Sequence, residues 1–258
     1  MATFLFDDII FGPVWSRRLG ESLGINLLPS GRKVCNFNCV YCECGITPSD
    51  YQQSEFPTVS EVSELLVNKL SQLKTDSAYL NSITFAGNGE PTLHPEFDRI
   101  IDEVIKIRDR IFPNVSVAVL SNATLIANRK VFNSLLKVDL NILKLDSAIE
   151  ETLRNINCPR GSFNLDEILG FLIKFKGRLT IQTLFLKGYC NGKYIDNTTD
   201  EEINAWVKTI ESIKPESVML YSLARDTAVD TLEKISEIEL NKLALILEEK
   251  GIKTQVTP

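Results

Sequence analysis

Short runs of apolar and β-branched residues alternate along this chain with longer segments whose apolar positions recur every three or four residues. Residues 22–29 (SLGINLLP) read as a first strand. Residues 59–73 have helical spacing, with Ser60 as the N-cap candidate and Glu64 nearby. Residues 81–87 read as a second strand ending on glycine, and residues 95–111 as a helix with Pro95 in its first position. Further strands are expected at 115–124, 139–147, 178–188 and 216–224. Helices are expected at 128–137, 150–155, 164–175, 199–213 and 236–251.

About six strand–helix units in succession argue for a parallel sheet with crossover helices. Ligands of such sheets bind beyond the C-terminal ends of the strands. The residues that close the strands are therefore the candidate site: Gly87, Asn88, Gly89 and Glu90, then Ser121 and Asn122, Asp146 and Ser147, Tyr221 and Ser222. No low-complexity tract or Pro-, Gly- or Ser-rich linker divides the chain. Residues 1–258 are read as one domain, with 1–21 a lead-in, 22–250 the core and 251–258 a tail.

Composition narrows the setting. With 44% hydrophobic and 24% charged residues the chain resembles an ordinary soluble globular protein. Its net charge of −6 argues against broad charge-driven binding to nucleic acid or an anionic membrane. Asp7 and Asp8 interrupt the apolar N-terminal stretch, which lacks the basic region and cleavage site of a signal peptide. No apolar run is long enough to span a bilayer. The expected location is the cytosol, where thiols stay mostly reduced, so the six cysteines read as metal or redox groups rather than three disulfides.

Four of those six lie in CNFNCVYCECG, at Cys35, Cys39, Cys42 and Cys44. Thiolates are the soft ligands that iron–sulfur clusters and zinc take. Free cysteine also packs as a small hydrophobe, but Asn36, Asn38 and Glu43 make this stretch polar. A closed zinc site would need Cys44 as its fourth ligand. The C-x-C gap between Cys42 and Cys44 lies outside the usual zinc spacing, and no distant C-x2-C completes it. Three ligands at C-x3-C-x2-C, with one position open, fit an iron–sulfur cluster with a unique iron at least as well. In FAGNGEPTLHPEF (85–97), Gly87 and Gly89 let backbone approach a ligand closely and Glu90 offers a carboxylate at the strand mouth. Taken alone, that stretch is also an ordinary β–α turn.

The C-x3-C-x2-C loop with Tyr41 before its last cysteine, and the GNGEP turn closing the second strand, together resemble the radical S-adenosylmethionine superfamily. Residues 11–29 (FGPVWSRRLGESLGINLLP) and 87–95 (GNGEPTLHP) are similar to its branch of tRNA wyosine-base synthases. The resemblance implies an α/β fold: an open, partial (β/α)6 TIM-like barrel with a parallel sheet and outer helices. It implies that Cys35, Cys39 and Cys42 hold a 4Fe-4S cluster whose fourth iron binds S-adenosylmethionine. Reductive cleavage would yield a 5′-deoxyadenosyl radical that abstracts hydrogen from substrate. Tyr41 would flank the adenine, and Gly87, Asn88, Gly89 and Glu90 would receive the methionine end. Ser121, Asn122, Asp146 and Ser147 would bind the cofactor's carboxylate and ribose. An external one-electron donor such as flavodoxin or ferredoxin is implied.

A tRNA-modifying activity, glycyl-radical activation of a partner protein and small-molecule chemistry stay open, beside a zinc module as the non-enzyme reading. The chain is acidic and lacks a separate N-terminal cysteine set, which sets it apart from the tRNA enzymes. Cys44 reads as a non-ligand, and Cys158 and Cys190 as core or loop residues. Arg17 or Arg18 is a candidate for a substrate anion, and Arg225 for a carboxylate or phosphate. One of Gln182 and Thr183 must face inward. His94, the sole histidine, reads as a turn residue. Lys144 and Lys187 stand near strand ends, where the resembling branch carries a Schiff-base lysine.

Overall fold

A computed structural model describes residues 4–48, 56–224, 227 and 229–258. The chain runs β1 (Ile10–Ser16), β2 (Gly20–Ile25), α1 (Val59–Thr75), β3 (Ser82–Phe85), α2 (Phe97–Ile111), β4 (Ser116–Ser121) and α3 (Arg129–Leu135). It continues through β5 (Leu140–Lys144), α4 (Glu150–Asn157), α5 (Leu165–Lys174), β6 (Thr180–Leu184), β7 (Leu186–Cys190), β8 (Lys193–Asp196) and α6 (Asp200–Ile213). Last come β9 (Ser217–Tyr221), β10 (Leu232–Lys234), α7 (Glu237–Glu248) and β11 (Lys253–Thr257).

Eight strands form one curled sheet in the order β1-β2-β3-β4-β5-β6-β9-β11, and β10-β7-β8 form a small second sheet. From β2 onward the large sheet is parallel; only β1 runs antiparallel, on β2. This is the expected α/β half-barrel with its helices outside, and it carries one more parallel strand than expected. That strand is β11, inside the expected tail; it pairs with β9 from Lys253↔Ser217 to Thr257↔Tyr221. The expected strand 178–188 is two strands in different sheets, because the chain leaves β6 at Leu184 and pairs next with β8 and β10.

Strand alternation divides the faces. Leu23, Ile25, Ile83, Phe85, Val117 and Val119 join the apolar core, together with Leu66 and Leu70 of α1 and Ile100, Ile101 and Val104 of α2. Burying each such side chain contributes roughly 1.5–3 kcal/mol. Their neighbours in sequence, Ser22, Gly24 and Thr84, face the barrel interior. The N-cap of α1 is Thr58 rather than Ser60: its hydroxyl accepts from Glu61 N while the Glu61 carboxylate bonds back, a capping box. Pro95 precedes α2 by two residues; Pro91 instead opens a 3-10 turn over Pro91–Leu93. Among the described residues no helix is long and apolar enough to cross a membrane.

Candidate active site

The register Ile25↔Phe85 ends β2 and β3 side by side, so the cysteine loop and the glycine turn leave the sheet as neighbours. Backbone bonds then lace them together. Val34 N donates to Asn88 O at 2.8 Å and Glu90 N to Val34 O at 3.0 Å. Gly89 is required here: at φ +136° a Cβ would stand 2.0 Å from Val34 O. A Cβ on Gly87 would stand 2.4 Å from Asn26 Oδ1. The glycines thus let the turn lie flat against the residue that precedes Cys35. Above the strand ends opens a cavity of about 740 Å³, walled by Cys35, Cys39, Cys42, Cys44, Tyr41, Gly87, Gly89 and Glu90 from these segments. Ser121, Asn122, Lys144, Gln182 and Tyr221 complete its wall from the later strands.

Glu90 is 2% exposed rather than displayed at the mouth. Its carboxylate accepts from Thr92 N (3.1 Å), Thr92 Oγ1 (2.6 Å), Ser121 Oγ (2.8 Å) and Asn122 N (2.7 Å). Burial raises its pKa against those four donors. Glu90 therefore ties the end of β3 to the end of β4. Asn122 extends the tie: its Nδ2 donates to Asn36 Oδ1 at 2.7 Å and to Cys35 Sγ at 3.7 Å.

The thiols divide by environment. Burial pushes Cys35 up to about 12 and Cys39 up to about 11. A hydrogen bond from Cys44, aided by the Lys33 ammonium, lowers Cys42 to about 5. The same contact and burial raise Cys44, whose Sγ also lies 3.6 Å from Gly87 O. Lys33 is itself buried, with Nζ on Gly45 O at 2.8 Å. Three cavity-facing thiols on one loop, with N–H donors from Phe37 and Asn122 on Cys35 and from Asn157 on Cys39, are a donor set that fits a thiolate-ligated cluster. Among the described residues no three His, Cys, Asp or Glu side chains gather closely enough to hold a single ion.

A second network backs Cys39. The Tyr41 hydroxyl donates to Asp146 Oδ2 and accepts from Lys144 Nζ. Asn157 Nδ2 donates to Asp146 Oδ2 at 2.7 Å and to Cys39 Sγ at 3.3 Å, and Leu184 N donates to Asp146 Oδ1 at 3.0 Å. Burial alone would lower Lys144; Asp146 and Tyr221 outweigh it and raise it. Burial raises the Tyr41 hydroxyl, and Asp146 adds to that. Asn157 Oδ1 has no partner among the described residues, and the side chain's bonds there all run through its N–H2.

Three of the expected binding residues lie off the cavity wall. Asn88 clamps the N-terminal segment: its side chain exchanges two bonds with the Phe6 backbone, both 2.8 Å, and donates to Pro29 O at 2.9 Å. Asp146 sits behind Tyr41. Ser147 has the opposite strand parity and bonds Glu202 Oε2 on α6 at 2.7 Å. Gln182 faces inward, and Thr183 outward to Leu145 O. Ser222 bonds Phe185 O at 2.8 Å. His94 bonds backbone, Nε2 to Pro57 O at 2.7 Å and Nδ1 from Glu96 N at 3.1 Å. Cys190 and Cys158 belong to a small apolar cluster, and Lys187 lies in the β7–β10 ladder. Arg225 falls outside the described residues. The residues not foreseen are Lys33, Asn36 and Asn157; Lys33 and Asn36 flank the cysteines in sequence, whereas Asn157 carries no local signal.

Comparison with known proteins agrees with this geometry. Residues 32–180 match the Radical SAM superfamily. The chain is 30% identical over 237 residues to "GTPase Obg" of Brachyspira hyodysenteriae, covering 90% of this chain and 32% of that one. It is 36% identical over 211 residues to the UPF0026 protein MJ1312 of Methanocaldococcus jannaschii, covering 80% of this chain and 60% of that one. The chain thus spans less than two thirds of either relative. A radical SAM methyltransferase from Sphaerobacter thermophilus shares the fold, with a TM-score of 0.67 at 16% identity over 92% of this chain and 65% of that one. The match covers more than half of the sequence and includes the cysteine loop and the glycine turn; the chain belongs to the radical SAM superfamily.

Proposed function

We propose that this chain is a radical S-adenosylmethionine enzyme, with Cys35, Cys39 and Cys42 ligating a 4Fe-4S cluster. One observation carries the reading: the cysteine loop and the glycine turn are bonded to each other at Val34 and open into the same cavity at the strand ends. When bound, the cluster supplies the electron that cleaves S-adenosylmethionine to a 5′-deoxyadenosyl radical, which takes hydrogen from substrate. The protein's own part is to position and exclude water. Gly87 and Gly89 let the turn close on Asn26 and Val34, which sets its backbone at the cavity wall to receive the methionine end. Glu90 fixes Ser121 and Asn122 at the wall, and the Tyr41–Asp146–Lys144 network holds the tyrosine ring at the cavity face. The electron comes from an external donor of the flavodoxin or ferredoxin type.

The zinc alternative is weaker. A closed zinc site needs Cys44 as its fourth ligand, at a C-x-C gap from Cys42 that lies outside the usual zinc spacing. Anaerobic reconstitution, with iron and sulfide counts and assay of S-adenosylmethionine cleavage, tests the proposal; zinc uptake with no iron–sulfur and no cleavage would overturn it.

A further inference from the structure

Lys33 stands two residues before Cys35 and is 2% exposed. Its Nζ donates to Gly45 O at 2.8 Å, so the side chain reaches from the start of the cysteine loop to the residue after Cys44. The loop between is closed by its own bonds. Cys42 N donates to Cys39 O at 3.0 Å, Gly45 N to Cys42 O at 3.1 Å, and Thr47 Oγ1 to Cys35 O at 3.0 Å. Folding therefore fixes the ammonium beside the thiols, in the wall of the same cavity.

A buried charge is normally paired, because taking it out of water is costly. The other cations of the cavity wall obey this. Buried Lys144 has Asp146 at 3.4 Å. Arg18, on the Tyr221 ring and Gln182 Oε1, is only half-buried, and Arg17 is exposed. Lys33 differs. It forms no ion pair with a carboxylate among the described residues, and Gly45 O is one acceptor for three ammonium N–H groups. Sulfur surrounds the rest. The ammonium hydrogen-bonds Cys42 and favours the thiolate at Cys35, Cys39, Cys42 and Cys44 alike. A thiolate-ligated cluster would bring the missing negative charge, and one-electron reduction would add to it. A fixed cation stabilises that reduced form more than the oxidised one, and so raises the potential.

We infer that the Lys33 ammonium is the built-in counter-charge of the cluster, and that it sets the reduction potential through its charge rather than through its clasp on Gly45. The inference rests on the proposed function, since it concerns the same cysteines. The test is potentiometric EPR of the anaerobically reconstituted full chain without S-adenosylmethionine, so that no cofactor carboxylate contributes. Lys33→Gln keeps a donor for Gly45 O and removes the charge; Lys33→Arg keeps the charge. At the wild-type midpoint, Lys33→Gln is expected to lower the reduced-to-oxidised ratio roughly tenfold, about 59 mV for one electron. Lys33→Arg is expected to stay near wild type. An unchanged or raised potential in Lys33→Gln, an equal fall in Lys33→Arg, or a difference seen only with S-adenosylmethionine present would overturn the inference. Loss of the cluster from folded Lys33→Gln but not from Lys33→Arg would also support the counter-charge, and loss from both would overturn it. A wild type that takes up no iron–sulfur overturns the proposed function and this inference with it; a wild-type cluster whose potential ignores Lys33 overturns this inference alone.

Discussion

The side chain of Asn157 donates to Cys39 Sγ at 3.3 Å, across 118 residues of sequence. The helix α4 ends at Asn157 because Cys158 turns left-handed, at φ 43°. That ending presents the amide to the cysteine loop while Asp146 takes another share of the same nitrogen.

Hydrogen bonds to cluster sulfurs stabilise the reduced, more negative state and so raise the potential. Asn157→Ala is expected to keep most of its iron but to shift the midpoint potential downward by some tens of millivolts. Potentiometric EPR measures this. An unchanged potential in a fully loaded variant would remove Asn157 from the tuning of the site.

Cys44→Ala separates the cluster from its zinc rival. Contact with Cys42 and burial raise the Cys44 pKa, and its Sγ lies 3.6 Å from Gly87 O. The variant should keep wild-type iron and sulfide content, while Cys35→Ala, Cys39→Ala and Cys42→Ala each lose it. Loss of metal on Cys44→Ala would make it a ligand.

Much of this site could be read before the fold was known, and the reason is locality. The thiols lie within one short loop, and the glycine turn within a few residues of a strand end, so spacing alone reveals them. Long-range partners are different. Nothing near Asn157 in sequence marks it as a neighbour of Cys39. A polar residue at a strand end can face either way, which is why Ser147 went to α6 and Asn88 to Phe6 instead of the cavity. The half-polar run of β11 looks like a tail because its pairing with β9 supplies the order that its composition does not.

Gly89→Ala tests the joint between the two motifs. Its Cβ would meet a backbone carbonyl, which cannot swing aside as a side-chain end can. A destabilisation of about 1–3 kcal/mol is expected, together with poorer cluster loading. Urea unfolding and iron analysis check both. Wild-type values on both counts would show that the close approach to Val34 is not needed.

His94 gives the chain a pH signature. Both ring nitrogens are committed to backbone, and burial lowers its pKa below the ordinary 6.5. The folded state therefore resists a proton that the unfolded state accepts. Stability is fully present above about pH 6.5 and declines as pH falls towards the folded pKa. Melting temperatures from pH 7.5 down to 5 should show this, and His94→Gln should flatten it in that window. A wild-type curve no steeper than that of the variant would contradict the buried neutral histidine.

The most direct measurement for the whole account is EPR of the anaerobically reconstituted, reduced protein with and without S-adenosylmethionine, followed by assay for 5′-deoxyadenosine. The account predicts a cluster signal that changes when S-adenosylmethionine is added and 5′-deoxyadenosine as a product, both lost in Cys39→Ala. A cluster signal indifferent to S-adenosylmethionine, or a protein that binds zinc in place of iron and yields no 5′-deoxyadenosine, would contradict it.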